Sequence, residues 1–133
     1  MATAPARRPL SLKLAASSES VTEARRSVAD YARSLGVPDV DDVALAVSEA
    51  VGNAVLHAYR AREPGTIELR AEPLVPDTLL VVVIDDGDGM SPHPGSSGLG
   101  LGLALIGSLA AGLEIERHDP HGTSVRMRFS LTG

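Results

Sequence analysis

Leu10, Leu12 and Leu14 alternate with polar residues, which predicts a strand over 9–15 with one apolar face. The period then changes from two to about 3.6. Val21, Ala24, Val28, Tyr31, Ala32 and Leu35 recur at helical spacing, Ser20 and Glu23 have the spacing of a capping box, and Gly36 supplies a stop. Beyond Pro38 a second helical repeat runs through Val40, Val43, Ala44, Val47, Ala50, Val51, Ala54, Val55 and Ala58, ending near Tyr59. The turn Glu63-Pro-Gly65 leads into an alternating strand over 66–71, and a proline-containing connection over 73–77 leads into Thr78-Leu-Leu-Val-Val-Val-Ile84. That β-branched run has no polar break, as in a central strand covered on at least one face. A glycine- and proline-rich loop from Asp85 to Gly98 precedes a third helix over about 101–111. Strands over 113–117 and 124–131 follow, joined by the turn Asp119-Pro-His-Gly122.

The order β-α-α-β-β-loop-α-β-β predicts an α/β (α+β) two-layer sandwich, with three helices on one face of a mixed five-stranded sheet. Residues 1–8 are expected to be a flexible leader and 9–133 a single domain. Composition narrows the chemistry. Aromatic residues are 2% of the chain, so the core must come from Val, Leu, Ile and Ala. The chain has no cysteine, which excludes disulfides, thiolate metal sites and Cys nucleophiles. A formal net charge of -5 argues against duplex DNA or an anionic membrane as a partner. No apolar run approaches the roughly 20 residues of a membrane span, and the expected location is the cytoplasm.

Three places break the hydrophobic pattern. In the second helix Glu49, Asn53 and His57 recur every four residues among small and apolar neighbours, forming a polar stripe that faces solvent, a partner or a ligand. At the end of the helix, His57 can also serve by placing an imidazolium near the negative end of the dipole. The apolar strand runs into Asp85-Asp-Gly-Asp-Gly89, where a carboxylate is followed by two glycines that let the backbone approach a flat ligand. Such strings also make plain turns or calcium loops, but Ser96 stands where a calcium loop needs its bidentate Glu. Finally, Gly98-Leu-Gly-Leu-Gly-Leu103 opens a helix, where exposed backbone N–H groups and the dipole attract anions. It lacks the Gly-Lys-Ser/Thr ending of a Walker A loop and the βαβ setting of a dinucleotide site; tight packing of a glycine-rich helix is the alternative.

Taken together and in this order, the three features resemble the GHKL ATPases, and within them the anti-sigma-factor serine kinases of the RsbW and SpoIIAB type. The resemblance covers about 10–131. Val47-Ser-Glu-Ala-Val-Gly-Asn-Ala-Val-Leu-His-Ala-Tyr59 is similar to the family's N box, Ile84-Asp-Asp-Gly-Asp-Gly-Met90 to its G1 box and Gly100-Leu-Gly-Leu-Ala-Leu-Ile106 to its G2 box. Gly122-Thr-Ser-Val-Arg126 resembles the late Gly-Thr segment before the last strand. The resemblance implies ATP and Mg²⁺ as cofactors. It makes Glu49 the general base, Asn53 the Mg²⁺ ligand and His57 a further nucleotide-binding residue. Asp85 accepts a hydrogen bond from the adenine amino group, with Gly87 and Gly89 beside the base and Thr123 completing the adenine side. Gly98, Gly100, Leu101 and Gly102 bring backbone N–H groups to the phosphates.

These roles suit the residue types. An amide oxygen binds a metal without adding repulsion against a polyanion, and a carboxylate one turn away can receive the proton of an attacking hydroxyl. The implied activity is phosphorylation of an anti-sigma-factor antagonist of the STAS type, combined with binding of a sigma factor, in a homodimer. The family often has a basic residue just before the G2 glycines. Gly98 stands there in this chain, and Met90–Leu99 contains no Lys or Arg. That departure supports an alternative, an ATP-sensing regulatory module without significant kinase activity.

Overall fold

The computed structural model describes residues 8–58, 65–86, 104–118 and 122–132, without the side chains of 57 and 58. The elements run β1 (Leu10–Ala15), α1 (Ser18–Ser34), α2 (Val40–Asn53), β2 (Thr66–Leu74), β3 (Thr78–Asp85), a helix α3 over 104–109, β4 (Gly112–Arg117) and β5 (Thr123–Ser130). α2 continues into a π-helical turn, Ala54–Ala58. The α+β class, the five strands and the two hairpins β2–β3 and β4–β5 are as expected from the pattern.

The mixed sheet expected from the element order is corrected: the strand order is β1-β2-β3-β5-β4, and every neighbouring pair is antiparallel. β5 folds back from β4 and inserts between β4 and β3. β3 and β4, which run in the same direction, are thereby kept apart.

The period of two explains the layering. Leu14, Ile67, Leu69, Ala71, Leu79, Val81, Val83, Val125, Met127 and Phe129 share one buried cluster with residues of both long helices and with Ile106 of α3. They are the alternate positions of four strands, so one face of the sheet carries the helical layer. The opposite face presents Arg70, Glu72, Leu80, Val82, Ile84, Ser124 and Arg126 around one shallow groove. There Arg128 pairs with Glu114 at 2.5 Å and Arg70 with Glu68 at 2.6 Å.

α1 and α2 pack together mainly through Ala and Val, including Ala24, Val28 and Ala32 against the buried stripe of α2, Val43, Ala46, Val47, Ala50 and Val51. Small side chains let the two backbones approach closely, which offsets the scarcity of aromatic bulk. Gly36 ends α1 with φ +77, and the N–H groups of Gly36 and Val37 bond the carbonyls of Arg33 and Ala32 at 3.0 and 3.1 Å. Val37 is buried in the same motif, a Schellman ending. The start of α1 differs from the capping box read at Ser20 and Glu23. Ser17 is the N-cap, and Ser20 is buried with its hydroxyl donating to the Ala15 carbonyl at 2.5 Å. A serine whose hydroxyl can close onto the preceding strand is drawn inward, and that bond ties α1 to β1.

Candidate functional site

β3 carries the site's floor. Leu79, Val81 and Val83 face the helices at essentially zero exposure, and the next residue of the same parity is Asp85, 4% exposed. Its cross-strand neighbours are Ile67 on β2 and Thr123 on β5, and Thr123 is fully buried. An apolar strand therefore ends in a side-by-side pair of buried polar groups, a carboxylate and a hydroxyl. Buried polar groups cost free energy unless they are satisfied, so two of them at one strand end mark a place where the core stops being purely apolar.

The closing hairpin is fitted tightly onto that end. Gly122 has φ +114, and a Cβ there would lie 2.9 Å from the Asp85 carbonyl oxygen. Any side chain at 122 meets both a disfavoured backbone conformation and the main chain of β3.

α2 brings the second half. Val37, Asp39, Asp42 and Val43, at the start of α2, line a cavity with Phe129 and Ser130, and Phe129 is paired with Leu79 at the start of β3. The start of α2 thus lies near the N-terminal end of β3, and the two elements are in contact. The last residue of α2 is Asn53 and the last of β3 is Asp85.

Asn53 is 7% exposed, and its Nδ2 is buried without a hydrogen-bond partner, alone in that respect among the described side chains. A buried amide with one end unpaired is an unfavourable core residue, and its polar tip is available to a ligand. Glu49, one turn earlier, is half-buried. No group of three or more His, Asp or Glu side chains among the described residues could by itself hold a metal ion. An Mg²⁺ held by one amide oxygen, by phosphate oxygens and by water needs no such cluster, and the Asn53 Oδ1 is the oxygen that would meet it, while its unpaired Nδ2 could donate only to an acceptor such as phosphate.

The structure pairs Asp85 with Thr123 across β3 and β5, and places Glu49 and Asn53 one turn apart at the end of α2. His57 lies on the π-helical turn, where the i→i+5 pattern departs from the repeat that aligns Glu49 with Asn53, and its side chain is outside the description. Gly87, Gly89, Gly98, Gly100, Leu101 and Gly102 lie outside the described residues. Sequence reasoning missed a pair beside the site: the imidazole Nε2 of His118 lies 2.6 Å from the Ser124 hydroxyl. The two residues sit diagonally across the β4–β5 hairpin, a relation visible only once the register is known.

Comparison with known proteins agrees with the fold. The sequence profile of the histidine kinase-like ATPase domain matches residues 14–129. The chain belongs to that family. Among its relatives, the anti-sigma F factor of Clostridium beijerinckii is 30% identical over 129 residues, covering 87% of this chain and 90% of the relative. The serine-protein kinase RsbW of Bacillus subtilis is 30% identical over 141 residues, covering 93% and 86%. The RsbU and RsbW domains of a Mycobacterium tuberculosis protein superpose with a TM-score of 0.74 over 93% of this chain at 24% identity. That match shows the fold alone, and this chain covers 32% of the longer protein. The family is one of ATP-binding kinase-like domains, and its bacterial members related to this chain are named as anti-sigma factors and serine kinases. No helix among the described residues is long and apolar enough to cross a membrane.

Proposed function

We propose that this chain is an ATP-dependent serine/threonine kinase of the anti-sigma-factor type, which phosphorylates a STAS-type antagonist protein and binds a sigma factor. The observations that support the reading are the buried Asp85–Thr123 pair at the end of β3, and the half-buried Glu49 and buried, unsatisfied Asn53 amide at the end of α2. The names of the relatives supply the kinase and anti-sigma parts. In this account the Asp85 carboxylate accepts the adenine amino group, with Thr123 beside it. The Asn53 carbonyl oxygen would hold Mg²⁺, which would supply charge neutralisation at the phosphates. Glu49 takes the proton of the attacking serine hydroxyl. The protein acts in the cytoplasm as a homodimer, with Gly98, Gly100, Leu101 and Gly102 at the phosphates, Gly87 and Gly89 at the base and His57 at the nucleotide.

General-base catalysis contributes about 10²–10⁴-fold. Glu49→Gln therefore leaves ATP binding intact and lowers transfer of labelled γ-phosphate to a serine-bearing antagonist by about that factor. Unimpaired transfer by the variant removes Glu49 from the chemistry. A second reading, an ATP-sensing module without transfer, is favoured by one observation, the absence of Lys and Arg from Met90–Leu99. Binding of antagonist with no labelled product in the wild type selects it.

A further inference from the structure

We infer that His118 is a positioning residue for the adenine end of the site, acting through Ser124; the inference rests on the ATP reading above. β5 enters the sheet at Thr123, whose inward side chain pairs with Asp85, and the next residue, Ser124, points to the opposite face. Two bonds hold this corner. The His118 backbone N–H donates to the Gly122 carbonyl at 2.9 Å, one rung beyond the Arg117–Thr123 pair that ends the β4–β5 ladder. The His118 imidazole then reaches across the strand to the Ser124 hydroxyl at 2.6 Å. Ser124 is 6% exposed, so its hydroxyl has few alternatives to this partner.

The corner is also held from the β3 side. Gly122 lies so close to Asp85 that a Cβ would come within 2.9 Å of its carbonyl oxygen and 3.7 Å of the His118 Cβ. A strand corner gripped at 122 by main chain and at 124 by the imidazole leaves residue 123 little freedom to rotate or slide along β3. The lateral placement of the Thr123 hydroxyl against the Asp85 carboxylate follows from that grip. Base recognition depends on such placement, because a donor–acceptor match is lost over a few tenths of an ångström while nonspecific attraction to phosphates is not. His118 is itself exposed and outside the nucleotide-facing layer, so its effect on the nucleotide passes through the hairpin.

The test is calorimetric titration of the full chain with ATP and with GTP in magnesium buffer. His118→Ala is expected to weaken ATP binding about three- to tenfold while leaving GTP binding nearly unchanged, so that the ATP/GTP ratio narrows. His118→Gln, whose amide reaches a position similar to the imidazole Nε2, restores most of the ratio. Ser124→Ala reproduces the loss, and the double variant His118→Ala with Ser124→Ala is no worse than either single one. A change in overall stability alone moves both nucleotides together, which separates positioning from a structural role. A wild type that discriminates and a His118→Ala variant with the same ratio overturn the inference; should that variant not fold, an unchanged ratio in Ser124→Ala does so. A wild type that takes up neither nucleotide overturns the ATP reading itself.

Discussion

The two ends of β3 belong to the same sheet, yet they differ in kind. At the start, Leu79 is paired with Phe129, both buried in the common cluster, and the hairpin leading in carries Val75, which is 95% exposed. At the end, Asp85 is paired with Thr123, equally buried but polar, and the last residue of the contacting helix α2, Asn53, carries an amide with an unpaired Nδ2. The first end is closed by apolar packing, which any well-shaped aliphatic set can supply. The second holds groups that a purely structural core excludes. The difference teaches that function here is written as an interruption of the core at one end of a strand.

Variants can break this contrast in order of size. Leu79→Ala, at the apolar end, is expected to lower stability by about 2–5 kcal/mol in chemical denaturation, through lost burial and a cavity. Nucleotide affinity of the folded fraction stays as in the wild type. A drop in affinity there that matches the drop from a site variant erases the distinction between the ends. Asp85→Asn, at the polar end, does the reverse. Loss of a hydrogen bond to a charged group weakens ATP binding by about 1.5–3 kcal/mol, roughly ten- to a hundredfold by titration, with a small change in denaturation midpoint. Val75→Ser sharpens the comparison from below. At an exposed turn it shifts stability by less than about 0.5 kcal/mol and leaves ATP affinity unaltered.

Much of this was legible in the residues. The unbroken β-branched run over 78–84 placed β3 within a residue of its observed bounds, and the 3.6 period from Val40 placed the start of α2, while the helix expected to end near Tyr59 passes into a π-helical turn after Asn53. Asp85 stood out because a carboxylate follows an uninterrupted apolar run. Asn53 and Glu49 stood out because polar residues recur within a small-residue helix. What periodicity cannot supply is lateral order. Whether β5 lies beside β3 or outside β4 depends on how the α3–β4–β5 segment folds back, and the mixed sheet was therefore the wrong expectation. Thr123 came from resemblance alone, since a threonine at a strand start carries no local signal. The partner of Ser124 required the register, and the π-helical turn after Asn53 has no pattern of its own in the Ala54–Ala58 stretch. Ser20 shows the same limit at short range. Its spacing to Glu23 imitates a capping box, but its hydroxyl closes onto β1.

The central claim is that the polar end of β3 and the end of α2 together hold a magnesium nucleotide. Calorimetric titration of the wild-type protein with ATP, in the presence and absence of Mg²⁺, tests it most directly. The account predicts saturable uptake of ATP that tightens when Mg²⁺ is present. No measurable heat or uptake of adenine nucleotide in magnesium buffer would contradict it.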